Sequence, residues 1–233
     1  MKYANWKVPA ERPVIPSELV SAGCTPLLSA ILHLRGLADA DAAREVLGGG
    51  AELLADPLAL ADMIPAVQRL TRAVATGEHV AVYGDYDVDG ITAGCLLSDY
   101  LRSRGLECEL YIPDRLSEGY GMNARAIDAL GDMGVTLIVT VDCGVTNVEE
   151  TAYAAARGID MIITDHHECR EALPEAEAVV DPKRPDNGPE GQMLAGVGVA
   201  FKLVCAMDGD AERMLERYGD LVAVGTVADV PLL

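Results

Sequence analysis

From residue 79 onward the spacing of apolar positions switches between two periods. Short runs of hydrophobic residues end abruptly in polar clusters, and each cluster leads into a stretch with helical spacing. Residues 79–83, "HVAVY", predict a buried strand, followed by an acidic turn and the helical run "ITAGCLLSDYLRSRG". The unit recurs as "ECELYIPD" with "NARAIDALGDMG", as "TLIVTVD" with "NVEETAYAAARG", and as "DMIITD" with "HHECREALP", where a short helix is expected over 167–172. "EAVVDP" adds a further short strand, and two helices are expected around residues 195–207 and 210–229. Strands alternating with helices at this spacing predict an α/β fold, a parallel sheet flanked by helices on both faces. Ligands of such sheets bind outside the carboxyl ends of the strands. Upstream, "LLSAILHLRGLADADAAREVL" has helical spacing and ends in a glycine run, and a further helix over about 62–76 is stopped by Gly77. The chain therefore divides, in expectation, into a helical N-terminal lead-in over 1–78 and an α/β domain over 79–233.

Composition limits the function classes. At 233 residues, half of them hydrophobic, the chain can bury a real core as one large domain or two small ones. It has neither the roughly 18 uninterrupted apolar residues of a membrane span nor the apolar block of a secretory signal, so a cytoplasmic protein with no membrane partner is expected. The six cysteines are scattered singly, without a Cys-x-x-Cys pair, and read as reduced core or strand-end residues. A net charge of −19 argues against a sequence-independent nucleic-acid coat. The same acidity suits carboxylates gathered to hold cations, which can then face a phosphate on the protein's behalf.

The position of those carboxylates favours the second reading. Asp85, Asp87 and Asp89 follow the first strand, Asp142 ends "LIVTVD", Asp165, His166 and His167 end "MIITDHH", and Asp181 ends "AVVD". One rim of one sheet thus collects most of the unusual polar chemistry, while His33 and His79 lie outside it. Taken singly, Asp165 could cap the helix expected after it, and Asp181 before Pro182 could simply start a turn. Crowded carboxylates without cations would repel and raise one another's pKa values, a cost that bound divalent ions remove. "DYDVDG" resembles the start of a calcium EF-hand loop, but its twelfth position is Leu96 rather than a glutamate, and a strand precedes it rather than a helix. No P-loop is present, and the glycine pair in "GVGVA" at 196–200 either faces a phosphate or permits close packing. Mixed oxygen and imidazole donors suit manganese, zinc or iron better than calcium. A carboxylate shared between two ions would give a two-metal site for phosphoester hydrolysis.

"YGDYDVDGIT", "VDCGVTN", "TDHHE" and "LVAVGTVADV" resemble, in order and spacing, the signature segments of the DHH phosphoesterases, named for the Asp165-His166-His167 triplet. The lead-in, "VVDPKRPD" and "LAGVGVAFKL" are similar more narrowly to that family's bacterial single-strand-specific exonucleases. The resemblance implies the DHH fold, two manganese or magnesium ions, and metal ligands at Asp87, Asp89, Asp142, His166 and Asp229, with Asp85 as a further ligand or supporting group. Asp142 would bridge the ions, and His167 would lie over the substrate as an electrophile or proton donor. It implies a 5′-to-3′ exonuclease of single-stranded DNA in recombination and repair, partnered by a single-strand-binding protein and a helicase. Arg115, Arg125, Lys183 and Arg184 are candidates to grip substrate, or else solvated surface cations. Relatives continue into a DHH-associated domain, so residues 1–233 are expected to be a catalytic piece that is weak alone. Two alternatives share these residues: a phosphoesterase acting on short RNA, a cyclic dinucleotide or pyrophosphate, and a non-catalytic binding module.

Overall fold

The structure, a computed structural model, describes residues 14–48, 50–119, 121–188 and 192–230. It forms two compact units, Met1–Leu53 and Leu54–Leu233. In the first, helices α1 (Ser17–Ser21), α2 (Pro26–Leu34) and α3 (Ala40–Gly48) surround Leu19, Leu32 and Ala43. Thr25 caps α2 by accepting from the Leu28 amide at 3.3 Å, with Pro26 in the first helical turn.

The second unit begins with α4 (Met63–Thr76), which buries Met63, Ala66, Leu70 and Ala73 on one face and ends at Gly77 in the left-handed region, φ 67°. This face belongs to the core beneath the sheet, so the division between units falls ahead of the 78/79 boundary expected from sequence. Arg69, on the same helix and 5% exposed, donates to Asp160 and, through both terminal nitrogens, to Glu78. Thr136 also donates to Glu78, so one buried guanidinium ties α4 to the starts of three strands.

Those strands belong to a five-stranded parallel sheet of β1 (His79–Gly84), β2 (Glu107–Tyr111), β3 (Leu137–Val141), β4 (Asp160–Thr164) and β5 (Ala178–Val180), in spatial order β2-β1-β3-β4-β5. Alternate residues face opposite sides, and both sides are apolar. Val80 and Val82 join the core under α4, α5 (Val88–Ser103) and α8 (Gly196–Asp208), while Ala81 and Tyr83 join the core under α6 (Ala124–Asp132) and α7 (Val148–Ala156). The last helix, α9 (Ala211–Asp229), contributes Met214 and Tyr218 to the α8 side. The chain steps outward from β1 to β2 through α5 and returns to β3 through α6 on the other face, as right-handed crossovers require. The strand order therefore reverses between β1 and β3, the position where such sheets open a ligand crevice. Among the described residues no helix is long and apolar enough to cross a membrane.

Two local expectations change. Helix α5 starts at Val88 rather than 91, which makes Asp87 its N-cap, accepting from Gly90 at 3.0 Å, and puts Asp89 in its first turn. No helix forms over 167–172. Asp165 accepts from the amides of His166 and His167, one and two residues on, so it closes a tight turn instead of capping a helix. Of the cysteines, Cys108, Cys143 and Cys205 are buried as expected, whereas Cys95 is exposed on α5.

Candidate metal centre

Strand register gathers the acidic residues. Gly84 pairs with Val141, Val141 with Thr164 and Thr164 with Val180, so four strands end level with one another. The next residue on each is an aspartate: Asp85, Asp142, Asp165 and Asp181, none more than 4% exposed. Asp142 also has φ 60°, a left-handed backbone uncommon outside glycine but tolerated by aspartate and asparagine. Burial pushes the Asp142 carboxyl up to about 10, with repulsion from Asp89, Asp87 and Asp165 adding to it. Burial likewise raises Asp85 and Asp89, and takes Asp181 to about 6.

Two helices close on this cluster through glycines. The amides of Gly196 and Val197, at the start of α8, donate to the two oxygens of Asp89 at 2.6 and 2.8 Å. The helix N-terminus thereby supplies partial positive charge beside the carboxylates. A side chain at Gly196 would put its Cβ 2.6 Å from the Asp142 Cβ. One at Gly225 on α9 would lie 2.7 Å from Val197 Cγ1 and 3.0 Å from Asp89 Oδ1, and closer still to Thr92 Oγ1. Asp229 lies four residues beyond Gly225 on the same helix, hence on the same face.

The histidines complete the rim. His166 Nε2 lies 3.0 Å from Asp142 Oδ1 and 3.7 Å from Asp89 Oδ2, and its Nδ1 lies 3.9 Å from Asp229 Oδ2. His167 Nδ1 meets Asp165 Oδ1 at 2.7 Å. Burial pushes the Asp165 carboxyl up, but the hydrogen bond and charge of His167, with the Val145 and His166 amides, outweigh it and hold the group below its ordinary range. Asp165 in turn raises His167. This pairing through Nδ1 orients the imidazole and fixes the direction of Nε2.

Three sets of donors lie close enough to share an ion: Asp85 with Asp87 and Asp142, Asp89 with His166 and Asp229, and Asp142 with both histidines. Asp142 and His166 each belong to two sets; the carboxylate has lone pairs enough to serve two adjacent positions, whereas the imidazole would serve one. The fit is supported by polar atoms that burial strands without a hydrogen-bond partner: Asp85 Oδ1, Asp142 Oδ1 and His166 Nε2. Such orphans are rare unless something else occupies their lone pairs. Every ligand candidate named from sequence thus falls in one cluster.

The substrate candidates separate. Arg115 stacks at 5.0 Å over the ring of Tyr86, the residue between Asp85 and Asp87, and its charge acts on the Asp85 carboxyl. Lys183 lines a cavity with His166, His167 and Asp229, and approaches Glu168 Oε1 at 3.4 Å. Arg184 is instead committed internally: it donates to both oxygens of Asp186, to Asp62 and to the Val179 carbonyl. Arg125 is in the first turn of α6, near Glu118 and Tyr111. Sequence reasoning did not find the paired amides of α8 or the role of Gly225. The only signals were "GVG" and a glycine one helical turn before Asp229.

Residues 79–226 match the model of the DHH family, N-terminal domain. The chain is 41% identical over 209 residues to the single-stranded-DNA-specific exonuclease RecJ of Bacillus subtilis (strain 168), covering 89% of this chain and 26% of that protein. Among solved structures it is similar to exonuclease RecJ bound to manganese, with a TM-score of 0.65 and 35% identity over 76% of this chain and 45% of that one. It is also similar to RecJ in complex with Mn2+ from Thermus thermophilus, with a TM-score of 0.66 and 28% identity over 92% of this chain and 30% of that one. The chain spans less than half the length of each.

Proposed function

Because the chain belongs to the DHH family, we propose that it is the catalytic domain of a two-metal phosphodiesterase that removes nucleotides from single-stranded DNA in the 5′-to-3′ direction. The observation that carries the reading is the meeting of Asp142 Oδ1 and His166 Nε2 at 3.0 Å, both buried and neither hydrogen-bonded to any other group, amid Asp85, Asp87, Asp89 and Asp229. Manganese or magnesium, as named for the similar structures, would lower the pKa of an attacking water and neutralise charge building on the phosphate. The protein's own part is positional. Asp142 is fixed by its left-handed turn and Asp89 by the α8 amides, which set the spacing between the donor groups. In the reaction water adds to phosphorus, the bond to the 3′-oxygen breaks, and that oxygen takes up a proton. Asp165 holds His167 by Nδ1 and keeps it charged to higher pH, so His167 Nε2 is the proton donor for the departing oxygen. Arg115 is the cation best placed to steady the strand beside Asp85. Repair, a cytoplasmic setting, and a single-strand-binding protein and helicase as partners belong to the same reading.

The test is manganese-dependent digestion of 5′-phosphorylated single-stranded DNA, run beside short RNA and cyclic dinucleotide, for the protein and its Asp142→Ala variant. Release of mononucleotides from DNA that the substitution abolishes is the expected result. Undiminished activity in the variant would sink the assignment, and preference for RNA or the dinucleotide would move the protein to the small-substrate branch of the family.

A further inference from the structure

Beside the two histidines is a cavity of about 570 Å³, within the roughly 300–1,000 Å³ range of small-ligand sites. We propose that it seats the nucleotide adjoining the cleaved phosphate, with Lys183 gripping that nucleotide's phosphate and Glu168 acting as the competitor the phosphate displaces. The inference rests on the reading of the centre as a phosphodiesterase.

The walls differ in chemistry. His166, His167 and Asp229 join the cavity to the metal centre, so a strand bound by its phosphate there continues into this space. Lys183 is on one wall, its side chain 30% exposed. Met193, Leu194 and Val230 are also in the lining, with Met193 47% and Val230 77% exposed. A cation beside an aliphatic surface matches a ligand with an anionic group and a flat apolar face, which describes a nucleotide. Aliphatic side chains offer no hydrogen-bond pattern to a base edge, and Gln192, the amide in the lining, can present either its oxygen or its nitrogen, so the seat accepts any base.

The turn that carries Lys183 is held rigidly. The Lys183 amide donates to Asp181 Oδ1 at 2.7 Å, and Asp181 is fully buried. The next residue, Arg184, is locked onto Asp62 and Asp186. Asn187 Nδ2 donates back to the Asp181 carbonyl. Three neighbours thus fix the backbone and leave the Lys183 ammonium to reach outward. Among the described residues the carboxylate within ion-pair reach of its ammonium is that of Glu168, with Oε1 at 3.4 Å; this side chain is 87% exposed and immediately follows His167. A pair this exposed is worth little in water, so an arriving phosphate replaces it readily.

The measurement is anisotropy of a fluorescent 5′-phosphorylated oligothymidylate across a salt series, with KM and kcat determined in manganese for the same proteins. Lys183→Met is expected to weaken binding about tenfold, the loss of one charge-assisted contact. It should also flatten the slope of log affinity against log salt by about 0.7, with the effect on KM rather than kcat. Glu168→Gln is expected to tighten binding severalfold, and to do nothing once Lys183 is gone. Replacing the thymines with adenines should leave the Lys183→Met ratio unchanged. Wild-type affinity and salt slope in Lys183→Met would overturn the proposal, as would weaker binding in Glu168→Gln. If the wild type cleaves no phosphodiester, the phosphodiesterase reading fails instead, and the binding measurements still report on the cavity. Should Lys183→Met melt early, Lys183→Arg, which keeps the charge, must bind like wild type.

Discussion

Replacing Gly225 by alanine sets two effects against each other on one helix. Alanine in a helix interior is favoured over glycine by about 1 kcal/mol. At Gly225, however, the new methyl would stand 2.7 Å from Val197 Cγ1 and 3.0 Å from Asp89 Oδ1, and nearer still to Thr92 Oγ1, so α9 must back away. Overpacking of this kind costs about 1–3 kcal/mol, leaving a net loss between roughly zero and 2 kcal/mol. The larger effect is on Asp229, one turn further along. Metal-ligand distances tolerate only about 0.2 Å, and a shifted ligand typically costs about 10–100-fold in affinity. Gly219, on the same helix, is the control: a methyl there meets the flexible Leu215 side chain, at 3.3 Å from its Cδ1 and 3.9 Å from its Cγ. Calorimetric titration with Mn2+ and thermal melts of both variants check the argument. Gly219→Ala should be as stable as wild type or more so, with unchanged metal affinity, while Gly225→Ala should bind manganese far more weakly and recover at high metal. Equal metal affinity in the two variants would refute the idea that this glycine sets the position of Asp229.

Four further outcomes follow from the same structure. Asp142→Asn, chosen because asparagine tolerates φ 60°, should raise the melting temperature of the metal-free protein near neutral pH, because the amide is neutral without the proton that the buried carboxyl must take up on folding, yet abolish stabilisation by Mn2+ in a thermal shift. Asp142 titrates near 10 in the fold against 3.8 ordinarily, so the native state holds the extra proton between those values. Metal-free stability should therefore fall as pH rises through that window, with His167, whose pKa is also raised, acting in the same direction. Manganese must displace that proton, so its affinity should increase about tenfold per pH unit near neutrality, read from calorimetry in buffers of different ionisation enthalpy. Arg69→Ala removes the cation shared by Glu78 and Asp160 at the strand starts, leaving Asp160 the longer contact to Arg72 at 3.5 Å. It should cost about 3 kcal/mol in urea unfolding, near the low end for a broken buried pair because both partners keep some water.

The strands and most helices were legible because burial on both faces writes long apolar runs, as in "TLIVTVD", and because Gly77 marks a helix end. The level row of aspartates was legible for the same reason, since each follows its strand directly. The missing helix at 167–172 was not. There a buried carboxylate, Asp165, draws two successive amides into a turn, a tertiary choice that local propensity does not encode. Asp89 and the α8 amides are 107 residues apart or more, and Arg69 reaches Asp160 across 91. Such long-range bonds leave no periodic trace. Arg184 read as a free cation from composition alone, and only its neighbours show that it serves the turn bearing Lys183.

Among the described residues β2 and β5 are the outer strands of the sheet, and unpaired backbone at such a margin is where one copy of a protein can zip onto another. Here β5 is three residues long and is followed within two positions by Pro182, which has no amide hydrogen to offer. The β2 margin carries Glu107 and Glu109, and any second copy approaches with a net charge of −19. The acidity that invites cations to one end of the sheet therefore also guards its sides, and concentrated solutions should resist edge-to-edge aggregation until salt or low pH removes the repulsion.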